Sequence, residues 1–225
     1  MAASSNDPSD MPAMPEYQPR RGRPTSDQTV AIEEHLVSTA RRLFLQQGYA
    51  RTSMQAIAAA ARVSKGTLYA RYPTKSHLFR AIVEDRLAAW QNYNNSAESP
   101  VEDRVDIETR LLRRAIYILK GMRLPEIQAF DQLISTEAKS FPELGRIFDE
   151  LGYTVILTET AADLEAEGRS GNEPTRNSIV VATIFQQALF GWIRSQGKDR
   201  EVSDDECEEF ARQLVALCLK GRGAW

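Results

Sequence analysis

The run Ser64-Lys65-Gly66-Thr67-Leu68-Tyr69-Ala70-Arg71-Tyr72 holds the residues whose types and spacing could do chemistry. That chemistry would be recognition of a polyanion rather than bond making. Lys65 puts a cation at the start of a short helix. Gly66 removes a side chain so that the backbone can approach a phosphate, and the free N–H groups of a helix start favour an anion. Thr67, Tyr69, Ala70 and Arg71 would face outward. Arg71 carries the planar fork that reads a guanine edge bidentately, a contact worth about 1–3 kcal/mol of discrimination, and Ala70 could pack on a thymine methyl. Leu68 and Tyr72 would hold the short helix to its neighbours. Lys75, opening the next helix, is placed for a phosphate.

Such residues need a rigid support, and the flanking sequence predicts one. Ser53–Ala61, a turn at 62–64 and Lys65–Tyr72 outline a helix-turn-helix, a motif of about 53–72 whose second helix enters a major groove. Before it, Ile32, Leu36, Ala40, Leu43 and Phe44 recur at helical spacing over 28–47, and Gly48 supplies the stop. Thr52 with Gln55 three residues on makes a capping-box pattern for the helix that follows. Ser64 caps the short helix and Pro73 ends it. Thr74 caps a fourth helix reaching about residue 93, and 92–100 reads as a loop. Further amphipathic helices are expected near 101–121, 124–139, 142–167, 174–197 and 203–220, with Pro125, Pro142 and Pro174 in or near first turns. No stretch shows the alternation of a strand, so the fold class is all-α.

The runs Thr52-Ser53-Met54-Gln55-Ala56-Ile57-Ala58, Ala61-Arg62-Val63-Ser64-Lys65-Gly66-Thr67-Leu68-Tyr69 and Tyr72-Pro73-Thr74-Lys75 resemble the TetR/AcrR family of regulators in order, spacing and type. The likeness covers about 60 residues, from Ile32 to Trp90. It implies an all-helical homodimer, with an N-terminal three-helix DNA-binding domain over 27–93 and a larger ligand-binding and dimerisation domain over 100–225. By the family's pattern Lys65, Gly66, Thr67, Tyr69, Arg71, Tyr72 and Lys75 would carry the operator contacts, with Thr52 and Ser53 touching backbone. Arg62 departs from the glycine usual in the turn. The turn therefore either holds a left-handed non-glycine residue or is shaped differently. Ser76 stands where an acidic residue is common.

Charge is segregated along the chain. Residues 17–95 contain 12 Lys and Arg against 5 Asp and Glu, and residues 96–225 contain 16 against 23. A basic N-terminal part beside an acidic remainder points to a polyanionic partner for the first part alone. Residues 1–26 read as a disordered basic arm. Within it Arg20-Arg21-Gly22-Arg23-Pro24 resembles an AT-hook core, so Arg21 and Arg23 are candidates for a narrow minor groove or for plain phosphate affinity.

In the body, Trp90, Tyr117, Met122, Phe130, Phe148, Tyr153 and Trp192 are candidates to line an apolar effector cavity, with Gln128, Gln132, Gln186 and Gln187 as polar partners. The run 179–190 is apolar nearly all round. With Phe210, Leu214, Leu217 and Cys218 it suits a two-fold interface made by the last two helices, or else an intrachain core.

Enzymatic chemistry finds no support. His35 and His77 are the only histidines and neither has a ligand-spaced partner, so no metal is expected. Nucleophile elbow, phosphate loop and dinucleotide fingerprint are absent, and no cofactor is expected. Cys207 and Cys218, eleven residues apart in one helix, lie too far apart for a disulfide within it. With neither a secretory signal nor a membrane-length apolar run, a cytoplasmic protein is expected. The reading is a dimer bound to a double-stranded DNA operator, a repressor released by a small apolar or amphipathic effector. The alternative is an architectural DNA-binding protein without a ligand.

Overall fold

The computed structural model describes residues 26–97, 105–170, 177–197 and 200–221. The all-helical expectation is borne out: ten α-helices and one π-helical turn make up the regular structure, with no strand among the described residues. The arm with Arg21 and Arg23 lies outside the described residues.

Helix α1 (Ser26–Gln47) buries Leu36, Ala40 and Phe44 completely on one face. It ends where Gly48 turns left-handed at φ +87. Helix α2 (Met54–Ala60) is capped by Ser53, whose hydroxyl accepts from Ala56 N at 3.1 Å. This corrects the capping box expected at Thr52. The Thr52 hydroxyl instead points inward, donating to Gly48 O at 2.8 Å and to Leu43 O at 3.3 Å. Arg62 takes the left-handed option, with φ 54. Helix α3 (Lys65–Arg71) is capped by Ser64, which accepts from Thr67 N at 3.0 Å. Helix α4 (Lys75–Ala97) starts at Thr74, whose hydroxyl accepts from His77 N at 3.3 Å, and it runs four residues past the expected end.

The body comprises α5 (Ile107–Arg123), α6 (Pro125–Glu137), α7 (Pro142–Phe148), α8 (Thr154–Ser170), α9 (Ser178–Ser195) and α10 (Asp204–Lys220). Pro125 and Pro142 occupy first turns as expected. Helix α10 opens on a capping box: Ser203 Oγ accepts from Glu206 N at 3.2 Å and Glu206 Oε2 accepts from Ser203 N at 2.9 Å. The single helix expected over 142–167 is in fact broken by a π-turn, Asp149–Tyr153. One extra residue per turn widens the helix there and displaces carbonyls from the regular ladder. The Tyr153 carbonyl accepts from Gln186 Nε2 of α9 at 3.2 Å, which pins the turn to the body.

Two hydrophobic cores hold these elements. The first joins α1–α4 to Phe130 and Leu133 of α6 and to Leu144 and Ile147 of α7. Its centre is aromatic: Phe44–Tyr49, Tyr49–Phe141 and Phe79–Phe130 have ring centroids 5.1, 5.1 and 6.0 Å apart. Each such pair adds roughly 0.5–1.5 kcal/mol beyond its burial. The second core is built from α5, α8, α9 and α10 around Leu119, Phe185 and Leu189. Head and body are thus fused through α6 and α7 as well as by α4.

A carboxylate seals that junction. Glu137, at the end of α6, accepts from Ala50 N at 2.6 Å, directly after the α1 stop. A Cβ on Gly48 would lie 2.7 Å from Glu137 Oε1, whereas one on Gly197, equally left-handed, would meet nothing within 4 Å among the described residues. Gly197→Ala should therefore cost only the backbone term of about 1 kcal/mol. Gly48→Ala should cost clearly more, because it also displaces Glu137. Urea unfolding of both variants checks this, and equal midpoints would remove the junction from the account.

Candidate nucleic-acid interface

Helix α3 is seven residues long, too short to persist alone, so its neighbours must hold it. Leu68 is fully buried beneath it, and Tyr72, at its end, is buried with its hydroxyl donating to Glu33 Oε1 of α1 at 3.1 Å. Burial, then the Glu33 carboxylate, pushes the Tyr72 phenol above its ordinary value, so it stays a neutral donor. Ser64 and Thr67 share a hydroxyl contact at 2.8 Å across the first turn. With its inner side so occupied, the helix turns Lys65, Gly66, Tyr69 and Ala70 to solvent, with Thr67 and Arg71 half-buried at the margins. Tyr69 is 43% exposed, unusual for an aromatic on a helix with a core beside it.

Gly66 has no internal reason to be glycine. Its φ is not positive, and an added Cβ would come no closer than 3.7 Å to Ser64 Oγ, an ordinary contact. The space it leaves open faces outward.

The structure separates two groups among the residues named for this surface. Lys65, Gly66 and Tyr69 lie on the outer side of α3 with Thr67 and Arg71 at its margins, and Ser53 is exposed at the start of α2. Thr52, Tyr72 and Lys75 are turned inward. Thr52 is 1% exposed. The Lys75 ammonium donates to Tyr49 O at 2.7 Å and to Thr52 O at 3.1 Å, and lies 4.2 Å above the Tyr49 ring. Burial pushes this ammonium below the ordinary lysine value, against the pull of Glu137 and Glu143. Lys75, expected at a phosphate, is held here against the carbonyls that close the α1–α2 loop, where Tyr49 O also accepts from Thr52 N at 3.3 Å.

Residues 35–83 include eight Lys and Arg and no Asp or Glu. The formal charge of this stretch favours an anion, although Arg41, Lys75 and Arg80 are engaged within the protein. Arg51, just before Thr52, adds an exposed cation whose Nε donates to Gln47 O at 2.8 Å. Arg51 belongs to no motif in the sequence, and the acid-free run around it is the one signal that marks it.

The second place of chemical interest lies between the two cores. A cavity of about 730 Å³ opens where α4 to α9 converge. Of the seven side chains expected there, Trp90, Tyr117, Met122, Phe148 and Tyr153 line it. Phe130 does not, being packed on Phe79 in the first core. Nor does Trp192, which stacks on Phe210 with centroids 4.4 Å apart. Gln187 is the one expected glutamine in the lining. Gln186 sits fully buried behind it, and Gln128 and Gln132 are exposed. The π-turn supplies Asp149, Gly152 and Tyr153 to the wall.

Comparison with known proteins gives one consistent answer. The family model for bacterial regulatory proteins of the tetR family matches residues 36–82. The HTH-type transcriptional regulator AcrR of Shigella flexneri is 40% identical over 62 residues, 28% of this chain and 29% of that protein, so the chain spans under a third of that relative. An HTH-type transcriptional repressor of Mycobacterium tuberculosis is 29% identical over 210 residues, 89% of this chain and 95% of that one. Among solved structures, the flavonoid-responsive regulator FrrA superposes with a TM-score of 0.70 at 26% identity, covering 85% of this chain and 97% of its own.

Removing the Thr52 hydroxyl while keeping its shape, Thr52→Val, should lower stability by roughly 1–3 kcal/mol, because two carbonyls lose a buried donor. DNA affinity of the folded protein should be unchanged. Tyr69→Ala should do the reverse. Thermal unfolding paired with a DNA-binding titration at fixed salt checks both, and a loss of affinity in Thr52→Val with unchanged stability would return Thr52 to the contact surface.

Proposed function

The chain belongs to the TetR family of transcriptional regulators, and from there we propose that it is a homodimeric repressor, held on a palindromic operator by α3 and released by a small effector in the body cavity. Its work is regulation of transcription rather than catalysis. The observation carrying the proposal is the outer side of α3, where Lys65, Gly66, Thr67, Tyr69 and Arg71 stand together on a face free of acidic residues. In this reading Lys65 and Ser53 meet phosphates, while Tyr69, Thr67 and Arg71 meet base edges and sugar.

A dimer is supported by uncovered apolar side chains. Ile179, Val180 and Ile184 on α9 are 49–60% exposed and Leu217 on α10 is 71% exposed. Val155 of α8 is a further exposed apolar side chain, at 39%. Packed on a second copy, these would bury the surface expected of an isologous interface. The two α3 helices would then read half-sites about 34–36 Å apart, one turn of the duplex.

The cavity favours an effector-responsive regulator over an architectural protein. Its walls are tied to the head at three points, so a guest that moves them moves the head. Arg80 of α4 pairs with Glu150 of the π-turn. Arg41 of α1 pairs with Glu126 of α6 at 2.9 Å, with Arg86 of α4 at 3.6 Å from the same carboxylate. The third tie is the Glu137–Ala50 bond. No helix among the described residues is long and apolar enough to cross a membrane.

Lys65→Ala with Tyr69→Ala should weaken operator binding at least tenfold at fixed salt. It should also flatten the dependence of log K on log salt, since one phosphate contact per subunit is lost. Fluorescence anisotropy over a salt series reads both, and an unaltered affinity would end the assignment of α3 as reader. Ile184→Glu with Leu217→Glu should yield a monomer by analytical ultracentrifugation; a dimer persisting at micromolar concentration would place the interface elsewhere.

A further inference from the structure

The cavity wall carries more chemical information than its location. Aromatic rings stand in pairs along it: Trp90 and Tyr117 with centroids 5.5 Å apart, Tyr153 and Phe190 at 6.0 Å. The charged residues that line it are largely neutralised by protein partners. Arg86, 18% exposed at its side chain, is held by Asp85 at 2.6 Å and approached by Glu126 at 3.6 Å. Arg194 and Asp131 pair at 2.8 Å across the rim, and Asp149 is exposed to solvent. An ionised guest would lose its hydration and find these counter-charges already engaged, which is costly.

One neutral polar pair stands out. Gln187 Nε2 donates to the Tyr153 hydroxyl oxygen at 3.0 Å. That donation leaves the Tyr153 proton to give and the Gln187 carbonyl oxygen to accept. A hydroxyl on a guest satisfies both at once, accepting from Tyr153 and donating to Gln187. Tyr117, also in the wall, stays protonated, its phenol pushed up to about 12 by burial and then by Glu159. A volume of about 730 Å³ leaves room for more than one ring, and a Cβ built on Gly145 or on Gly152, both in the wall, meets nothing within 4 Å among the described residues.

We infer that the cavity takes an uncharged aromatic compound of two or more rings, seated among Trp90, Tyr117, Tyr153 and Phe190, with a hydroxyl read by Tyr153 and Gln187. This rests on the cavity's being the effector site, and it narrows the chemistry of what enters.

The test is a matched series on one skeleton: 4-phenylphenol, biphenyl, biphenyl-4-carboxylate and 4-phenyl-N,N,N-trimethylanilinium, each titrated into the full chain by calorimetry without DNA. 4-Phenylphenol should bind at least tenfold tighter than each of the other three. Tyr153→Phe and Gln187→Leu should each shrink its advantage over biphenyl several-fold. Gly145→Leu, which fills the cavity from a helix and favours that helix, should abolish binding while circular dichroism stays unchanged. The inference is overturned if the carboxylate or the ammonium binds as tightly as the phenol, if phenol and biphenyl are equal, if the phenol fails to bind, or if Gly145→Leu leaves binding intact. Adding 4-phenylphenol to the operator complex then separates the two readings. The expected binding pattern without release of DNA keeps the chemistry of the cavity and removes effector release alone.

Discussion

The anchoring of α3 is the constraint on which the rest depends. A seven-residue helix has too few hydrogen bonds to offset the cost of ordering it, so its geometry is borrowed from tertiary contacts. Leu68 in the first core, the Ser64 cap and the Tyr72–Glu33 bond fix its inner side. The outer side can then be chosen for recognition without regard to stability, which is why a glycine and an exposed tyrosine stand next to each other there. The adjoining turn accepts Arg62 at positive φ, a local strain held in place by the packing of α2 on α3.

The same economy governs the junction of head and body. Tyr49, Lys75 and Phe141 stack into one aromatic and cationic cluster beside the Glu137 carboxylate. Backbone groups of the α1–α2 loop that secondary structure leaves open are satisfied there by Lys75, Thr52 and Glu137. The loop therefore belongs to both halves. A rigid link of this kind passes displacement on rather than absorbing it, which the proposed release by an effector requires.

The cavity arises because the two cores do not meet everywhere. Helices α4 and α6 belong to the first, α5, α8 and α9 to the second, and the π-turn between α7 and α8 widens the chain where they diverge. Gln186 offsets the displaced Tyr153 carbonyl, and its own buried Oε1 is left without a protein partner. An irregular turn with an orphaned acceptor behind it marks a place where regular packing has yielded to a chosen shape.

Much of this was legible in the chain alone, and the reason is locality. Helix spans followed from period and caps, since each depends on residues three or four apart: α3, α6 and α10 lie within two residues of their expected limits. The outward-facing residues of α3 were visible for the same cause. Thr52 and Lys75 were read as contacts, yet their partners lie in loop carbonyls that no periodicity predicts. Phe130 and Trp192 resemble the other aromatics in the sequence, and only packing sends them to a core rather than to the cavity. The π-turn left no signal, because Asp149–Tyr153 continues an ordinary helical pattern. Residue types and short spacings thus determined the helices and the outward face of α3. Tertiary structure decided which polar groups face inward and where empty space remains, because those outcomes rest on contacts such as Ala50 to Glu137, 87 residues apart.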